Sequence, residues 1–233
     1  MQTATKKPYK GTGMEGWLAR WYARTRQNDL DDFRRQAAEV AQRIARGAVP
    51  EVAAPKAAVL EVAPGPGYFA IELAKLGDFQ LTGLDLSRTL VEIASENARR
   101  AGVNVDFRQG DAAAMPFAAA SFDLVYCSAA FKNFSEPVAA LNEMHRVLRP
   151  GGEALVVDLR KDVSLAEIDQ YVRRSGRTRL DAWITRWAFR SFLIRRAYSQ
   201  ERFCQLAAES RFGSCQIRLD SIGFEACLAK PAA

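Results

Sequence analysis

The chain has 233 residues, enough for one domain, or one domain with a sizeable insertion, and for a real buried core. Its composition is that of an ordinary globular protein, 48% hydrophobic and 26% charged, with no apolar run near ~20 residues and so no spanning helix. The net charge of +6 is uneven: residues 1–52 carry 10 Lys/Arg against 6 Asp/Glu, residues 53–159 carry 9 against 13, and residues 160–202 carry 11 against 5, which reads either as solvated helix faces or as attraction of an anionic substrate or membrane surface by the basic flanks.

The N-terminal "MQTATKKPYKGTGMEG" lacks the apolar stretch of a secretory signal. Residues 14–22 then place Met14, Trp17, Leu18, Trp21 and Tyr22 on one helical face, and residues 32–46 repeat the pattern with Phe33, Ala37, Val40, Ala41 and Ile44. "GAVPEVAAPK" ends that helix. Strand-like runs follow at 57–62, 79–84, 104–109, 121–127 and 152–158, with helical patterns at 67–76, 88–101 and 136–148. Strand and helix in alternation predict a parallel sheet with right-handed crossovers and helices on both faces. A helix near 200–210, with Ser199 as its N-cap, precedes two runs at 214–219 and 223–229 joined by a tight turn, a terminal antiparallel hairpin.

His145, the only histidine, leaves no room for a histidine-based metal site or a Ser-His triad, and no metal is expected. It reads as structural, on a helix behind the sheet. Cys127, Cys204, Cys215 and Cys227 show no ligand spacing and read as reduced thiols of a cytoplasmic protein.

The stretch "VLEVAPGPGYFA" (59–70) carries the chemistry: an apolar strand ends in an acid, and a glycine loop opens into a helix. Gly65 to Ala70 fit G-x-G-x-x-[GA], and Asp85 follows Gly65 by 20 residues, so a dinucleotide oxidoreductase using NAD(P) is one reading. Four stretches in order support another. "VLEVAPGPG", "LTGLDLS" (81–87), "QGDAAAMPFAAASFDLVYC" (109–127) and "LNEMHRVLRPGGEALVVD" (141–158) resemble the motifs of the class I S-adenosylmethionine-dependent methyltransferases, over roughly residues 57–160.

The resemblance implies a Rossmann-like α/β fold, a doubly wound seven-stranded mostly parallel sheet with a terminal antiparallel hairpin, N-terminal helices and a helical cap insertion. It divides the chain into an N-terminal helical lid (1–52), a cofactor-binding core (53–160), a cap (161–198), and a last helix and hairpin (199–233). It implies S-adenosylmethionine as cofactor and S-adenosylhomocysteine as product. Glu61 would lie near the ligand's ammonium, Ala63, Gly65 and Gly67 would let backbone approach it, and Asp85 would accept both ribose hydroxyls. Asp111 and the Ala112 N–H would read the adenine, between Leu86 and Met115. Ala63 stands where the family has glycine, tolerable if that residue stays extended. Pro64 and Pro66 stiffen the loop.

"SAAFKNF" (128–134) follows the fourth strand and is expected beside the methyl group. Ser128 is assigned to the cofactor, Phe131 and Lys132 to the acceptor, and Asn133 to orienting a nucleophile. Asp158, at the end of the fifth strand, faces the same cleft or caps the next helix. The N-terminal helix is expected to close over the ligand, with Tyr9 and Trp17 as pocket walls and Tyr22 as a catalytic hydroxyl; an aromatic core stripe explains Trp17 and Trp21 equally well. Tyr198 is a further acceptor contact. Residues 180–196 form a basic amphipathic segment that is either a lid or a peripheral membrane contact. The acceptor is expected to be a small molecule, anionic or hydrophobic, similar to those of the quinone-biosynthesis methyltransferases, with O, N, S or C as the methylated atom. Nucleic acid is not expected, because the [DNS]-P-P-[YFW] motif is absent. A non-catalytic S-adenosylmethionine-binding protein and an RNA methyltransferase stay open beside the oxidoreductase.

Overall fold

A computed structural model describes residues 9–10, 14–46, 56–174 and 194–232. Two helices lead: α1 (Gly16–Arg26), a 3₁₀ turn, and α2 (Leu30–Ala45). The core then alternates β1 (Ala58–Val62), α3 (Tyr68–Ala74), β2 (Gln80–Asp85), α4 (Arg88–Ala101), β3 (Asp106–Gln109), β4 (Phe122–Ser128), α5 (Pro137–Val147) and β5 (Leu148–Leu159). After α6 (Leu165–Arg174) come α7 (Gln200–Glu209), β6 (Gln216–Leu219) and β7 (Gly223–Ala229). Half of the cap expected at 161–198, residues 175–193, falls outside the described residues, as does most of the basic segment 180–196.

The seven strands form one sheet in the order β3-β2-β1-β4-β5-β7-β6. β1 to β5 are parallel, and β7 runs antiparallel to both β5 and β6. β1 is buried along its whole length and β4 over six of its seven residues, as strands covered on both faces are. The antiparallel β7 next to β5 departs from the dinucleotide-binding order, which continues with a sixth parallel strand. The chain winds outward from β1 to β3, then returns to the other side of β1 with β4. This topological switch opens a crevice at the carboxyl ends of β1 and β4, where open α/β sheets bind ligands.

The helices start and stop for local reasons. Ser87 caps α4 by accepting the Leu90 N–H at 3.1 Å, and Gly102 ends it with a left-handed φ of 68°. Pro137 opens α5. Ser199 caps α7, accepting the Arg202 N–H at 3.2 Å. α2 lays Phe33, Ala37 and Val40 on the sheet face that carries Leu124, Tyr126 and Leu155. On the opposite face α5 and α7 bury Leu141, Met144, Phe203 and Leu206 against Val125, Cys127 and Val156. His145 packs edge-on against Phe212, ring centres 5.0 Å apart. β5 starts four residues earlier than the apolar pattern indicates. Its Pro-Gly-Gly segment joins the ladder through an irregularity opposite Phe122 and Leu124, and a Cβ on Gly152 would come within 2.7 Å of the Asp123 carbonyl.

Candidate functional site

The loop from β1 to α3 is set by three left-handed residues in five: Ala63 (φ 58°), Gly65 (57°) and Gly67 (80°). The Ala63 N–H donates to the Leu84 carbonyl at 2.8 Å, and the Gly67 N–H donates to Pro64 at 3.0 Å. The expectation that Ala63 stays extended is therefore corrected. Its tie to β2 holds it in a conformation that costs an L-residue roughly 1–2 kcal/mol. Ala63→Gly is expected to raise stability by about 0.5–1 kcal/mol, read from urea denaturation midpoints; a lower midpoint would show that the methyl's packing outweighs the strain.

The two glycines serve different neighbours. A Cβ on Gly67 would lie 2.7 Å from the Phe107 ring and 2.9 Å from the Ala94 methyl, so this glycine lets α3 and α4 pack on the sheet and is not among the cleft-lining residues. A Cβ on Gly65 would meet Tyr22 Cε1 at 3.4 Å, so the Tyr22 ring lies against this glycine at the cleft.

Two buried acids flank the loop. Asp85 ends β2 with its side chain toward the crevice. Its Oδ2 accepts the Gly65 N–H at 3.0 Å and its Oδ1 the Ser87 N–H at 2.9 Å. Burial pushes its carboxyl up to about 6, partly offset by those two hydrogen bonds. Glu61 in β1 is buried deeper, and desolvation raises it to about 8 although the Ala70 N–H donates to it. Its Oε2 has no hydrogen-bond partner among the described residues, an unmet demand for a donor or a cation. Glu61 sits beneath the loop rather than among the cleft-lining residues.

The cleft encloses about 170 Å³ and is lined by Val62, Ala63, Gly65, Asp85, Leu86, Asp111, Ala112, Ala129 and Asn133 on the sheet side. Tyr9, Met14, Glu15 and Tyr22 line the other side. A larger groove of about 440 Å³ lies between α1 and α4, away from the strand ends. Tyr9 is held by pairing with Phe134, and the Lys10 N–H donates to Asn133 O at 2.9 Å. α1 is clasped to α4 by Glu15, whose carboxylate accepts the Arg88 N–H at 2.9 Å, the Thr89 N–H at 3.1 Å and the Thr89 hydroxyl at 2.6 Å. Glu15 thereby caps the α4 N-terminus from another helix, a contact between residues 73 and 74 positions apart that no local pattern announces. Burial raises the phenols of Tyr9 and Tyr22, so both keep their protons at neutral pH.

Of the expected site residues, Tyr9, Tyr22, Ala63, Gly65, Asp85, Leu86, Asp111, Ala112 and Asn133 meet at this cleft. Others do not. Trp17 is 78% exposed on the outer face of α1 and walls nothing. Met115 and Phe131 are core residues, Phe131 packing on Phe134, Tyr198 and Phe203. Ser128 ends β4 half-buried and is not among the cleft-lining residues. The Tyr198 hydroxyl accepts from Lys10 Nζ at 2.8 Å, off the cleft lining.

Lys132 and Asp158 neutralise each other. Lys132 Nζ lies 2.7 Å from Asp158 Oδ1, with side chains 5% and 1% exposed. Asp158 also accepts the backbone N–H groups of Lys132 and Leu159 at 2.9 and 2.7 Å. The pair clamps the loop after β4 to the end of β5, so neither residue is available to an acceptor, and Asp158 does not cap the following helix.

With this geometry in view, three comparisons bear on identity. Residues 59–152 match the family model described as a methyltransferase domain. The chain is similar to the demethylmenaquinone methyltransferase of Deinococcus radiodurans, 38% identical over 101 residues, 43% of this chain and 42% of that protein. The corresponding enzyme of Chlorobaculum parvum is 38% identical over 100 residues, 43% and 40% of the two chains. The matches thus span less than half the length of these relatives. The solved structure of a protein described as an S-adenosyl-L-methionine-dependent methyltransferase from Methanococcus maripaludis shares the fold over 96% of this chain and 97% of its own, with a TM-score of 0.73 at 22% identity. The glycine loop with its flanking acids, the antiparallel β7 and the domain match across the switch point agree: residues 59–152 are a methyltransferase domain, set in a fold shared with a protein described as an S-adenosyl-L-methionine-dependent methyltransferase.

Proposed function

We propose that this chain moves the methyl group of S-adenosylmethionine to a small, largely apolar acceptor and releases S-adenosylhomocysteine. The observation that carries the reading is Asp85, a buried carboxylate at the strand end that faces the Gly65 N–H across the switch point. Each of its oxygens has one lone pair engaged by backbone and another left to accept a ribose hydroxyl. Asp111 and the Ala112 N–H, on the same cleft, suit the adenine edge, and Leu86 one of its faces. The bound cofactor supplies an electrophilic methyl on a positive sulfur, and the acidic residues 53–159 around it suit that charge.

The enzyme's remaining task is alignment and exclusion of water. Tyr22 and Asn133 reach the cleft from opposite walls and are assigned to orienting the acceptor. Tyr22, with its proton held by burial, donates a hydrogen bond rather than acting as a base. α1 and Tyr9 form the lid. The enclosed 170 Å³ is below the roughly 300 Å³ at which small-molecule sites begin, so the Glu15 clasp opens to admit the cofactor. Met14, Val62, Leu84, Leu90 and Phe134 give the cleft apolar walls that fit a ring compound, as the name demethylmenaquinone of the relatives' acceptor describes.

The test is S-adenosylhomocysteine formation with demethylmenaquinol and with panels of phenols, thiols and amines. Turnover with the quinol supports the whole proposal. Turnover only with another class replaces the acceptor. Tight cofactor binding without turnover on any panel overturns the catalytic reading in favour of a ligand-binding protein.

Glu61 links the cofactor's charge to pH. Its folded pKa, about 8, stands above the ordinary 4.5, so the folded protein holds a proton that the unfolded chain releases. Stability from this group is present below pH 4.5 and is lost as pH rises toward 8. The ligand-free protein is therefore expected to melt at lower temperature at pH 8 than at pH 5, and Glu61→Gln to flatten that slope. Cofactor binding near pH 7 is expected to release a proton, seen as a buffer-dependent heat in calorimetry. A wild-type slope in Glu61→Gln would assign the pH dependence to other groups.

A further inference from the structure

The outer face of α1 has an arrangement that the cleft does not use. Trp17 and Trp21 lie one turn apart, 78% and 58% exposed, presenting on the order of 300 Å² of aromatic surface. Arg20 and Arg24 share that face, since positions 17, 20, 21 and 24 fall within about 100° of one another around a helix. The inner face carries Ala19, Ala23 and Tyr22.

Residues 16–26 contain three arginines and no acid. Arg26 is paired with Asp29 at 2.6 Å. Arg20 and Arg24 form no ion pair among the described residues. The acids that line the α1–α4 groove with them, Glu92 and Glu96, are engaged by Arg88 and by Arg99 and Arg100. The first 52 residues as a whole carry a charge of +4.

Single exposed apolar residues are common, but two adjacent tryptophans bordered by arginines with no ion-pair partner among the described residues are not. The indole is the side chain that settles at the boundary between lipid headgroups and acyl chains, and arginine is attracted to anionic headgroups while its stem lies along apolar surface. From this charge complementarity we infer that the outer face of α1 docks on an anionic membrane surface, with Trp17 and Trp21 inserted at the headgroup level and Arg20 and Arg24 on lipid phosphates. The contact is peripheral, because no helix among the described residues is long and apolar enough to cross a membrane. This contact differs from the one expected at residues 180–196, and it does not depend on which acceptor the cleft takes.

The experiment is co-sedimentation of the full chain with vesicles of phosphatidylcholine alone and of phosphatidylcholine with phosphatidylglycerol. Binding is expected only to the anionic vesicles and is expected to fall as salt is raised. Trp17→Ala/Trp21→Ala should weaken it about tenfold, and Arg20→Glu/Arg24→Glu by at least about 30-fold, given the attraction of each basic residue to an anionic surface. Both variants alter exposed positions and should keep the wild-type melting temperature and cofactor affinity. Wild-type binding by both variants would overturn the inference and move any membrane contact elsewhere in the chain. Absence of vesicle binding by the native protein would overturn it as well. So would a native dimer that Trp17→Ala/Trp21→Ala converts to monomer with vesicle binding unchanged, which would make the face a protein–protein contact.

Discussion

Asp85→Ala is expected to weaken S-adenosylmethionine binding by at least about 100-fold, measured by calorimetry. A hydrogen bond to a charged acceptor is worth roughly 1.5–3 kcal/mol, and two ribose hydroxyls would lose theirs together. The substitution also frees the Gly65 and Ser87 N–H groups, so the loop loses a tie at 3.0 Å on one side and the α4 entry one at 2.9 Å on the other. Asp85→Asn separates the two effects. It keeps one acceptor oxygen for backbone, so it should bind more tightly than the alanine variant yet remain well short of wild type. Because burial already holds the Asp85 carboxyl near 6, wild-type affinity should fall as pH drops through that value. Unchanged affinity in Asp85→Ala would remove the ribose from this strand end and with it the orientation of the ligand in the cleft.

Asp158→Ala is expected to destabilise the protein by about 3–5 kcal/mol, the usual cost of leaving one member of a buried ion pair alone. Lys132 would keep only the Ala129 carbonyl, at 2.5 Å, and two backbone N–H groups would lose their acceptor. Lys132→Met/Asp158→Asn should recover most of that loss, because the charge is gone and an oxygen remains for one N–H. Denaturant midpoints of the single and double variants give the comparison. A loss below about 1 kcal/mol in Asp158→Ala would show that the loop after β4 is held by Phe131 and its aromatic neighbours instead. The outcome matters for the site because this loop places Ala129 and Asn133 on the cleft.

The architecture was legible because its signals are local. Short apolar runs, apolar stripes at period 3.6 and the Ser199 cap predict the strands and helices within a few residues, and strand–helix alternation predicts the parallel sheet. The glycine loop and Asp85 were legible for the same reason: both occupy fixed places after their strands. The failures concern partners distant in sequence. Lys132 reads as a free cation until β5 brings Asp158, 26 residues away, to within 2.7 Å. Gly67 reads as a ligand contact until Phe107, 40 residues on, fills the space beside it. Trp17 and Trp21 fit a core stripe by spacing, yet α1 turns Ala19 and Ala23 inward instead. Periodicity locates a face without saying what it meets. The left-handed Ala63 was missed because alanine carries no signal for that conformation.

The most direct test of the central claim is calorimetric titration of the purified chain with S-adenosylmethionine, S-adenosylhomocysteine and NAD in turn. Micromolar binding of the first two, lost in Asp85→Ala, with no heat from NAD, is the predicted result. Binding of NAD without S-adenosylmethionine would contradict the account, whatever the resemblance of its glycine loop.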